Sequence, residues 1–256
     1  MITAVIITKN EAWCIEKCIQ SLWPVVDEVI VVDSMSSDNT KELAEANGAQ
    51  VIVQKWLGFG PQKNLGIRAA KNDYILSVDA DEVLNEQLQQ DINSHKVNGL
   101  KGAYSCHFLH HYYGQPVYYG LENPQWKTRL FNRRELMWDE KEVHESLNIP
   151  RNYPVTKLKG RMLHYGYTSV EQHAKKSDAY SSLGAAELYR KGKKNYGWKM
   201  IVSPAFTFVQ SYLIKRGFLD GRLGWVLAKW NAYTTWLKYT KLWGLYNAEK
   251  KPNLKP

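Results

Sequence analysis

Short apolar runs alternate with helical patterns over the first hundred residues of the chain. The runs "AVIIT", "EVIVVD", "QVIVQK" and "DYILSVD" predict four strands. Apolar spacing predicts helices over 11–22 and 61–71, and the segment "SSDNTKELAEANGA" predicts a third helix that Asn39 helps to open and Gly48 closes. This alternation is typical of βαβ units. The sequence therefore predicts an α/β fold with a mostly parallel sheet and flanking helices.

The pattern changes twice in the second half of the chain. From about Ala103 the periodicity loosens into segments such as "HFLHHYYGQPVYYG", which predict strands and loops in an antiparallel extension of the sheet. After Tyr167 the helical pattern returns. We therefore predict two domains, 1–166 and 167–256, the second being a helical extension.

Composition supports a folded globular protein. The chain has 256 residues, of which 44% are hydrophobic, enough to fill a core. No run reaches the roughly 18 apolar residues of a spanning helix, and the start does not resemble a signal peptide, so we expect a cytoplasmic protein. Cys14, Cys18 and Cys106 have no metal-binding spacing and are expected to be reduced core thiols.

The positive charge is concentrated in the last third of the chain. The net charge is +9, yet residues 167–256 carry 16 Lys or Arg and only five Asp or Glu, so the remaining residues are slightly acidic. This asymmetry suggests an anionic partner, either nucleic acid or a phospholipid surface. A basic face that only improves solubility is the alternative.

Polar clusters follow each of the four predicted strands. They read "TKNE", "DSMSSD", "GFGPQKN" and "DADE" in chain order. In an open parallel sheet, ligands bind at the carboxyl ends of the strands. The four clusters together therefore predict a ligand site at that edge.

Asp79 and Asp81 are the predicted metal and ribose ligands of this site. In an extended segment, residues two apart point to the same side. Carboxylate oxygens suit Mg²⁺ or Mn²⁺, and such an ion bridges phosphates and offsets the repulsion among the acids. An ordinary polar transition from strand to loop is the alternative.

Asp33 and Asp38 follow the second strand. The Asp33 carboxylate is placed to accept the N3 hydrogen of uracil, a donor that cytosine lacks. Asp38 either contacts the ligand or only caps the next helix.

Four further residues complete the predicted nucleotide contacts. Thr8, Asn10 and Glu11 are placed to hold the nucleoside edge, although Glu11 could instead only stabilise the first helix. Lys63 could neutralise a diphosphate, with an ordinary exposed lysine as the alternative.

These motifs resemble a known family. "VIITKNE", "VVDSMSSDNT", "PQKN" and "SVDADE" are similar to the GT-A glycosyltransferases of family 2, inverting enzymes that take a sugar from a nucleotide diphosphate sugar with a divalent metal. The resemblance continues through "KTRLFNRRELMWDEKEVHESL" and the Trp-rich tail to bacterial lipopolysaccharide inner-core glycosyltransferases, including β-1,4-glucosyltransferases. It implies a GT-A fold and transfer of glucose from UDP-glucose to the heptose of a lipid-anchored core oligosaccharide.

The resemblance also assigns catalytic roles. "WDEKEVHES" occupies the region where many members carry the general base in a Glu-Asp pair, and Glu145 is the candidate base, with Asp139 and Glu140 as rivals. His144 either completes metal coordination, contacts the diphosphate or forms a surface pair. Arg129 either binds phosphate or belongs to a structural ion pair.

The tail predicts a membrane contact. On a helix over 223–243, Leu223, Val226, Leu227, Trp230, Tyr233 and Leu237 form one stripe, and Trp225, Trp236 and Trp243 form a second. Trp with Lys and Arg is typical of a bilayer interface, and the apolar run "IVSPAFTFVQSYLI" is too short to span a membrane but could lie in the headgroup layer. We expect peripheral association with the anionic cytoplasmic face of the inner membrane; core packing of both stripes is the alternative.

Two other functions compete with glycosyl transfer. A nucleotidyltransferase would use similar carboxylates but release pyrophosphate instead of nucleoside diphosphate. A nucleic-acid-binding protein would rest only on the basic, aromatic tail. The four ligand-like loops favour an enzyme without a nucleic-acid partner.

Overall fold

The alternating pattern of the first hundred residues folds as four parallel strands. The computed structural model describes residues 1–123, 125–140 and 146–250. The parallel strands are β1 (Ile2–Thr8), β2 (Glu28–Asp33), β3 (Gln50–Val53) and β4 (Tyr74–Asp79). Both β1 and β2 are almost wholly buried, which explains why they appear as continuous apolar runs.

Antiparallel strands extend this sheet, as the looser second pattern predicts. They are β5 (Glu82–Leu84), β6 (Ala103–Tyr112), β7 (Gln115–Val117), β8 (Gln125–Asn132) and β9 (Val155–Tyr167). The order is β3-β2-β1-β4-β8-β6-β9-β5, and β7 pairs with β6. Strand β8 is antiparallel to both β4 and β6, and β5 is antiparallel to β9. The predicted α/β fold is confirmed: helices flank a sheet whose parallel part, β3-β2-β1-β4, continues into an antiparallel extension.

Seven helices accompany the strands in the described part of the chain. They are α1 (Ile15–Leu22), α2 (Thr40–Ala46), α3 (Phe59–Ala69), α4 (Glu86–Val97), α5 (Val170–Arg190), α6 (Tyr196–Val209) and α7 (Gly221–Lys250). Helix α1 begins four residues later than predicted, because residues 12–14 form a turn. Helix α4 was not predicted: its polar sequence buries only Leu88 and Ile92, which leaves little apolar periodicity to detect.

Helix α3 packs very close to the sheet at Gly66. A Cβ atom on Gly66 would lie 2.5 Å from Val5 Cγ1 and 2.9 Å from Val32 Cγ2. Any larger residue would push α3 away from β1 and β2. Gly66 therefore fixes the helix whose first half carries Lys63 at the depth that the site below requires.

The chain divides into two compact units. The first comprises residues 1–109 and 125–164, and the second comprises residues 110–124 and 165–256. In the second unit α5, α6 and α7 pack together, with a core formed by Ala185, Tyr239, Leu242 and Tyr246. No helix within the described residues has the length and apolarity needed to cross a membrane.

Candidate active site

The predicted ligand residues at the strand ends meet at one edge of the sheet. Thr8 lies opposite Asp33 in the pairing of β1 with β2, and Ile7 lies opposite Asp79 in the pairing of β1 with β4. Asp33 is buried, and Thr8 is buried with a hydroxyl that finds no hydrogen-bond partner among the described residues. A buried hydroxyl without a partner is uncommon and is expected where a ligand supplies the missing bond.

The loops after β1 and β2 are joined by hydrogen bonds. The Asn10 side-chain oxygen accepts a bond from the Ser37 amide at 2.8 Å, and Ser36 Oγ accepts one from the Asn10 amide at 2.8 Å. Thr40 Oγ1 accepts a bond from the Glu11 amide at 2.9 Å. These contacts hold Asn10 in the left-handed region, with φ of 55°. The two loops therefore form one preorganised rim.

Two of the predicted acids, Asp33 and Asp38, accept hydrogen bonds from within the rim. The Asp33 carboxylate accepts bonds from the Ser36 amide and hydroxyl. Asp38 accepts bonds from the Thr40 amide at 3.1 Å and the Ala12 amide at 3.3 Å, so it caps α2. The Asn39 side chain makes no capping bond, contrary to the sequence prediction.

Glu11 also has a local partner. Trp13 Nε1 donates a hydrogen bond to Glu11 Oε2 at 2.6 Å. Because Glu11 precedes α1, its carboxylate also lies near the positive end of that helix. The predicted helix-stabilising role and the predicted nucleoside contact are therefore compatible.

Lys63 and Arg129 both bind Asp79. Lys63 Nζ lies 3.2 Å from Asp79 Oδ1, and Arg129 Nη2 lies 3.0 Å from Asp79 Oδ2. Lys63 is buried and lies over the Trp138 ring at 4.5 Å, so it is not the exposed lysine of the alternative interpretation. Burial opposes ionisation of Asp79, but the Lys63 ammonium and the Arg129 guanidinium outweigh it and hold the Asp79 pKa well below its usual range.

Glu82 was not predicted as part of the site, yet it is its most buried acid. Glu82 Oε1 accepts a bond from Arg129, and Glu82 Oε2 accepts one from the Asp79 amide at 3.0 Å. Burial raises the pKa of Glu82 to about 7 in spite of the Arg129 charge, and Asp79 adds to the rise. Glu82 thus orients Arg129 and the end of β4.

Asp79 and Asp81 do not share one extended segment, which corrects the geometry expected from sequence. Strand β4 ends at Asp79, and residues 80–81 form a turn. Asp81 Oδ2 lies 3.4 Å from His164 Nε2 on β9, whereas Asp79 binds Lys63 and Arg129. The turn gives the two carboxylates separate partners.

His164 is the second residue that sequence reasoning missed. Burial lowers the pKa of His164, but the Asp81 carboxylate outweighs this effect and raises the pKa above its ordinary value. The signal in the sequence was weak, since "RMLHYGY" places one histidine within a long strand. Only the pairing of Glu82 with His164 in the β5–β9 register brings it beside the acidic turn.

Asp81 and His164 supply donor atoms that suit a divalent cation. A carboxylate oxygen and an imidazole nitrogen are both ligands of Mn²⁺, and the carboxylate also suits Mg²⁺. Within the described ranges, no three or more His, Cys, Asp or Glu side chains converge on a metal position. A bound cation would therefore take further ligands from water or from the phosphates of a substrate. His144, the predicted second ligand, lies outside the described residues.

The predicted general base also lies outside the described residues, because Glu145 falls in the segment 141–145. Its two rivals, Asp139 and Glu140, come just before that segment. The Asp139 carboxylate accepts a bond from the Ser146 amide at 3.1 Å. The Glu140 side chain is largely exposed, with a long ion pair to Arg68 at 4.0 Å.

A cavity of about 320 Å³ opens beside Asp79. Its lining residues are Asp79, Lys127, Thr128, Arg129, Trp138, Leu147 and Ile149. Lys127 Nζ lies over the Phe108 ring at 4.4 Å, and burial followed by the Arg129 charge lowers its pKa. Lys127 is a third cation here, and its role was not predicted from the sequence.

Comparison with known proteins identifies the family to which these motifs belong. The family model described as glycosyl transferase family 2 matches residues 3–150. The chain belongs to this family. An uncharacterized glycosyltransferase of Rickettsia prowazekii is 34% identical over 254 residues, covering 94% of this chain and 86% of the relative.

Two further comparisons differ in reach. A lipopolysaccharide core biosynthesis glycosyltransferase of Rhizobium meliloti is 25% identical over 266 residues, covering 99% of this chain and 96% of that protein. The glucosyl-3-phosphoglycerate synthase of Mycobacterium tuberculosis, crystallised with Mn²⁺, UDP and product, is 26% identical over 43% of this chain and 44% of that one, with a TM-score of 0.35. Family membership makes this chain a glycosyltransferase, the activity that the four strand-end clusters favoured.

Proposed function

We propose that the protein is an inverting glycosyltransferase that transfers glucose from UDP-glucose to the heptose of a lipopolysaccharide inner core. The observation that carries the proposal is the convergence of Thr8, Asp33 and Asp79 at one sheet edge, with Lys63 and Arg129 bound to Asp79. Such an edge binds a nucleotide in parallel sheets. The name of the Rhizobium meliloti relative supports a core acceptor.

The nucleotide half of the donor has polar groups available along the rim. Thr8, Asn10, Glu11, Asp33 and Asp38 are proposed to contact the nucleoside, with Asp33 opposite uracil N3 and Asp79 near the ribose. The Asp33 carboxylate oxygens have lone pairs beyond those used by Ser36. Lys63 and Arg129 place positive charge where the diphosphate would lie.

Asp81 and His164 are the residues proposed to hold a divalent cation. The cation would stabilise the charge that develops on the leaving diphosphate. His144 stays a proposed additional ligand. Lys127 lines the cavity beside Asp79 and is suited to place a further positive charge near that diphosphate.

Inversion requires a base that removes the proton from the attacking hydroxyl on the side opposite the leaving group. Glu145 is proposed for that role. The Asp139 carboxylate already accepts a hydrogen bond from the Ser146 amide, which disfavours it as the base. Glu140 stays the second candidate, because its side chain is exposed and carries only a long ion pair.

A donor screen tests the proposal directly. The full chain is incubated with Mn²⁺, one nucleotide sugar at a time and a heptose-bearing core acceptor, and both free nucleoside diphosphate and glycosylated acceptor are measured. UDP-glucose is expected to give the fastest release of UDP with equal acceptor modification. Faster transfer from another nucleotide sugar would overturn the donor assignment, and modification only of unrelated acceptors would overturn the core assignment.

The lipid anchor of the proposed acceptor implies a site of action. We propose that the protein works at the cytoplasmic face of the inner membrane, held peripherally by its basic second unit. The indoles on α7 that the sequence predicts to meet the membrane are each at least two-fifths exposed; they belong to Trp225, Trp236 and Trp243. That exposure leaves them free to meet an anionic bilayer.

A further inference from the structure

Helix α6 is the least buried apolar element among the described residues. Its sequence, "YGWKMIVSPAFTFV", is mostly apolar, yet none of its side chains is fully buried. Ile201 is 76% exposed and Phe206 is 57% exposed. Large apolar side chains scattered singly on a surface are ordinary, but a contiguous group of them marks an interaction surface.

The exposed side chains lie on one face of α6 and its continuation. Trp198, Ile201, Val202, Phe206, Val209 and Leu213 are all exposed, and they recur at spacings of one, three or four residues. At 100° per residue these positions span an arc of about 140°. The opposite side of α6 packs against α7, so the exposed face is the one left without a protein partner in the described chain.

The face continues into the turn between α6 and α7. Residues Gln210–Ile214 form a π-helical turn and Gly217–Asp220 a 3₁₀ turn, where Ile214, Phe218 and Leu219 are exposed. Tyr212 packs against Trp225 at the start of α7, with ring centroids 5.4 Å apart. We call α6, this turn and the start of α7 the hairpin surface.

Charge is absent from the middle of the hairpin surface and abundant at its ends. No Asp, Glu, Lys or Arg occurs from residue 200 to residue 214. Lys193, Lys194 and Lys199 precede that stretch, and Lys215, Arg216 and Arg222 follow it. The acid of the turn, Asp220, accepts bonds from the amides of Tyr118 and Tyr119, so its charge is partly offset.

From these observations we propose that the hairpin surface is a membrane-inserting element, with α6 lying parallel to the bilayer at headgroup depth. An apolar face about 25 Å long with cations at both ends matches an interfacial helix in an anionic leaflet, where the apolar face enters the acyl boundary and lysines reach phosphates. The proposal rests on the membrane location proposed above, and it assigns the main membrane contact to α6 instead of the tryptophans of α7.

A second copy of the chain is the competing occupant. Two copies pairing through this surface would bring like-charged lysines and arginines together at both ends, which disfavours the pair. An anionic lipid surface reverses that sign, because each basic end then meets phosphate. Charge therefore favours lipid.

Flotation of the full chain with vesicles tests the proposal. Vesicles of phosphatidylethanolamine and phosphatidylglycerol are compared with vesicles of phosphatidylcholine alone. Ile201→Asp/Phe206→Asp is expected to lower partition into the anionic vesicles at least about tenfold, since two charges would have to enter the apolar layer. Ile201→Ser/Phe206→Ser provides a milder variant if the first does not fold.

The matched control is Val97→Asp/Val155→Asp. Both valines are exposed in the first unit, so the control makes the same charge change at exposed apolar positions outside the hairpin surface. It is expected to bind vesicles like the unmodified chain. Circular dichroism of every variant checks that the helices are intact.

Two results would overturn the proposal. The first is unchanged vesicle binding by folded Ile201 and Phe206 variants. The second is a dimer in sedimentation that these variants abolish while vesicle binding persists, since the surface would then join two copies. Transfer to a soluble acceptor is measured in parallel. Transfer that is retained in the variants confines their defect to membrane binding. Absence of transfer by the unmodified chain contradicts the proposed reaction but leaves the surface proposal standing.

Discussion

The strand-end site and the hairpin surface depart from ordinary burial in opposite directions. The site buries Lys63, Glu82 and Arg129, residue types that folded proteins keep near water. The hairpin surface exposes Ile201 and Phe206, residue types that folded proteins keep inside. Both arrangements are unfavourable in water unless something compensates them, and the two regions differ in where the compensation comes from.

The site compensates within the chain. Two cations bind Asp79, and Glu82 binds one of those cations, so the charges are mutually offset before any substrate arrives. Such a network is preorganised and needs only a small ligand to complete it. The hairpin surface has no equivalent partner among the described residues, so its compensation must be an extended surface outside the chain. The two regions therefore divide the work of the protein: the site carries the chemistry, and the hairpin surface is proposed to set the location.

The strongest test of the site removes its acid with the least internal compensation. Asp81→Ala is expected to lower transfer at least about a thousandfold and to abolish any dependence on added Mn²⁺, because the proposed carboxylate ligand of the cation is lost. The free energy of unfolding should change little, since relief of the repulsion from Asp79 and Glu82 offsets the loss of the contact with His164. UDP release with and without metal measures the first effect, and urea unfolding the second.

Asp73→Ala is the matched control for that change. Asp73 lies at the opposite end of β4, where it pairs with Arg134 at 2.8 Å. Losing it removes one carboxylate without touching the site, so activity should remain. Equal activity of Asp81→Ala and Asp73→Ala would contradict the assignment of Asp81.

The next largest effect is expected from the base. Glu145→Gln keeps the shape of the side chain but cannot accept a proton, so turnover should fall roughly 100-fold while donor binding changes little. Turnover and the dissociation constant for UDP-glucose measure the two quantities separately. Damage from Glu140→Gln with mild loss from Glu145→Gln would reverse the assignment.

The sequence predicted the sheet well because its strands are continuous apolar runs. Strand β2 has the predicted bounds, and the predicted polar clusters after β1, β2 and β4 meet in register. What local pattern could not supply is the partner of each side chain. Arg129 and Lys63 are 66 residues apart: the antiparallel pairing of β8 with β4 brings Arg129 to Asp79, and the packing of α3 on the sheet brings Lys63 there.

Missed residues share the same physical cause. His164 becomes relevant because β9 pairs with the three-residue strand β5, which is too short to show alternation. Glu82 looked like one more loop acid, although it is almost fully buried.

Two residues of the predicted apolar stripe on α7, Val226 and Tyr233, are instead exposed, since the buried face follows Leu227, Ala228, Tyr239 and Leu242.

Stability should show how far the buried network depends on its central cation. Arg129→Met leaves Glu82 without its partner, and the free energy of unfolding should fall by about 4 kcal/mol. Adding Glu82→Leu should recover part of that loss, because the uncompensated charge is removed as well. Urea unfolding of the two single variants and the double variant measures the coupling; strictly additive losses would mean that the two side chains act independently.

The helical unit has its own buried titratable group, and it predicts a pH effect. His173 stacks between Tyr167 and Trp230, with ring centroids 4.1 and 4.5 Å away, and its Nδ1 lies 2.6 Å from the Tyr113 hydroxyl. Burial, aided by the Lys176 charge, lowers the pKa of His173 to about 4. The unfolded chain, with an imidazole pKa near about 6.5, then binds more protons than the folded chain between these two values.

The sign of the effect follows from that difference. The stabilisation that depends on a neutral His173 is fully present above about pH 6.5. It is lost as the pH falls toward 4, and the free energy of unfolding then decreases by at most about 3 kcal/mol. His173→Phe keeps the stacking but cannot be protonated, so its free energy of unfolding should decline less over that range. Parallel decline of the two proteins in urea unfolding at pH 7, 5.5 and 4.5 would contradict the assignment.

The smallest effect is expected from the tryptophans that the sequence singled out for the membrane. Trp225, Trp236 and Trp243 are each about half exposed and none lies on α6, so their joint change to Ser should lower binding to anionic vesicles only roughly threefold. Lys229 lies over the Trp225 ring at 4.8 Å, and without that ring the remaining attraction should be more electrostatic and more sensitive to salt. Flotation at low and high salt, beside the Ile201 and Phe206 variants, measures both. A loss larger than that of the α6 variants would return the main membrane contact to α7, whereas an unfolded triple variant would show that these indoles stabilise the helical unit.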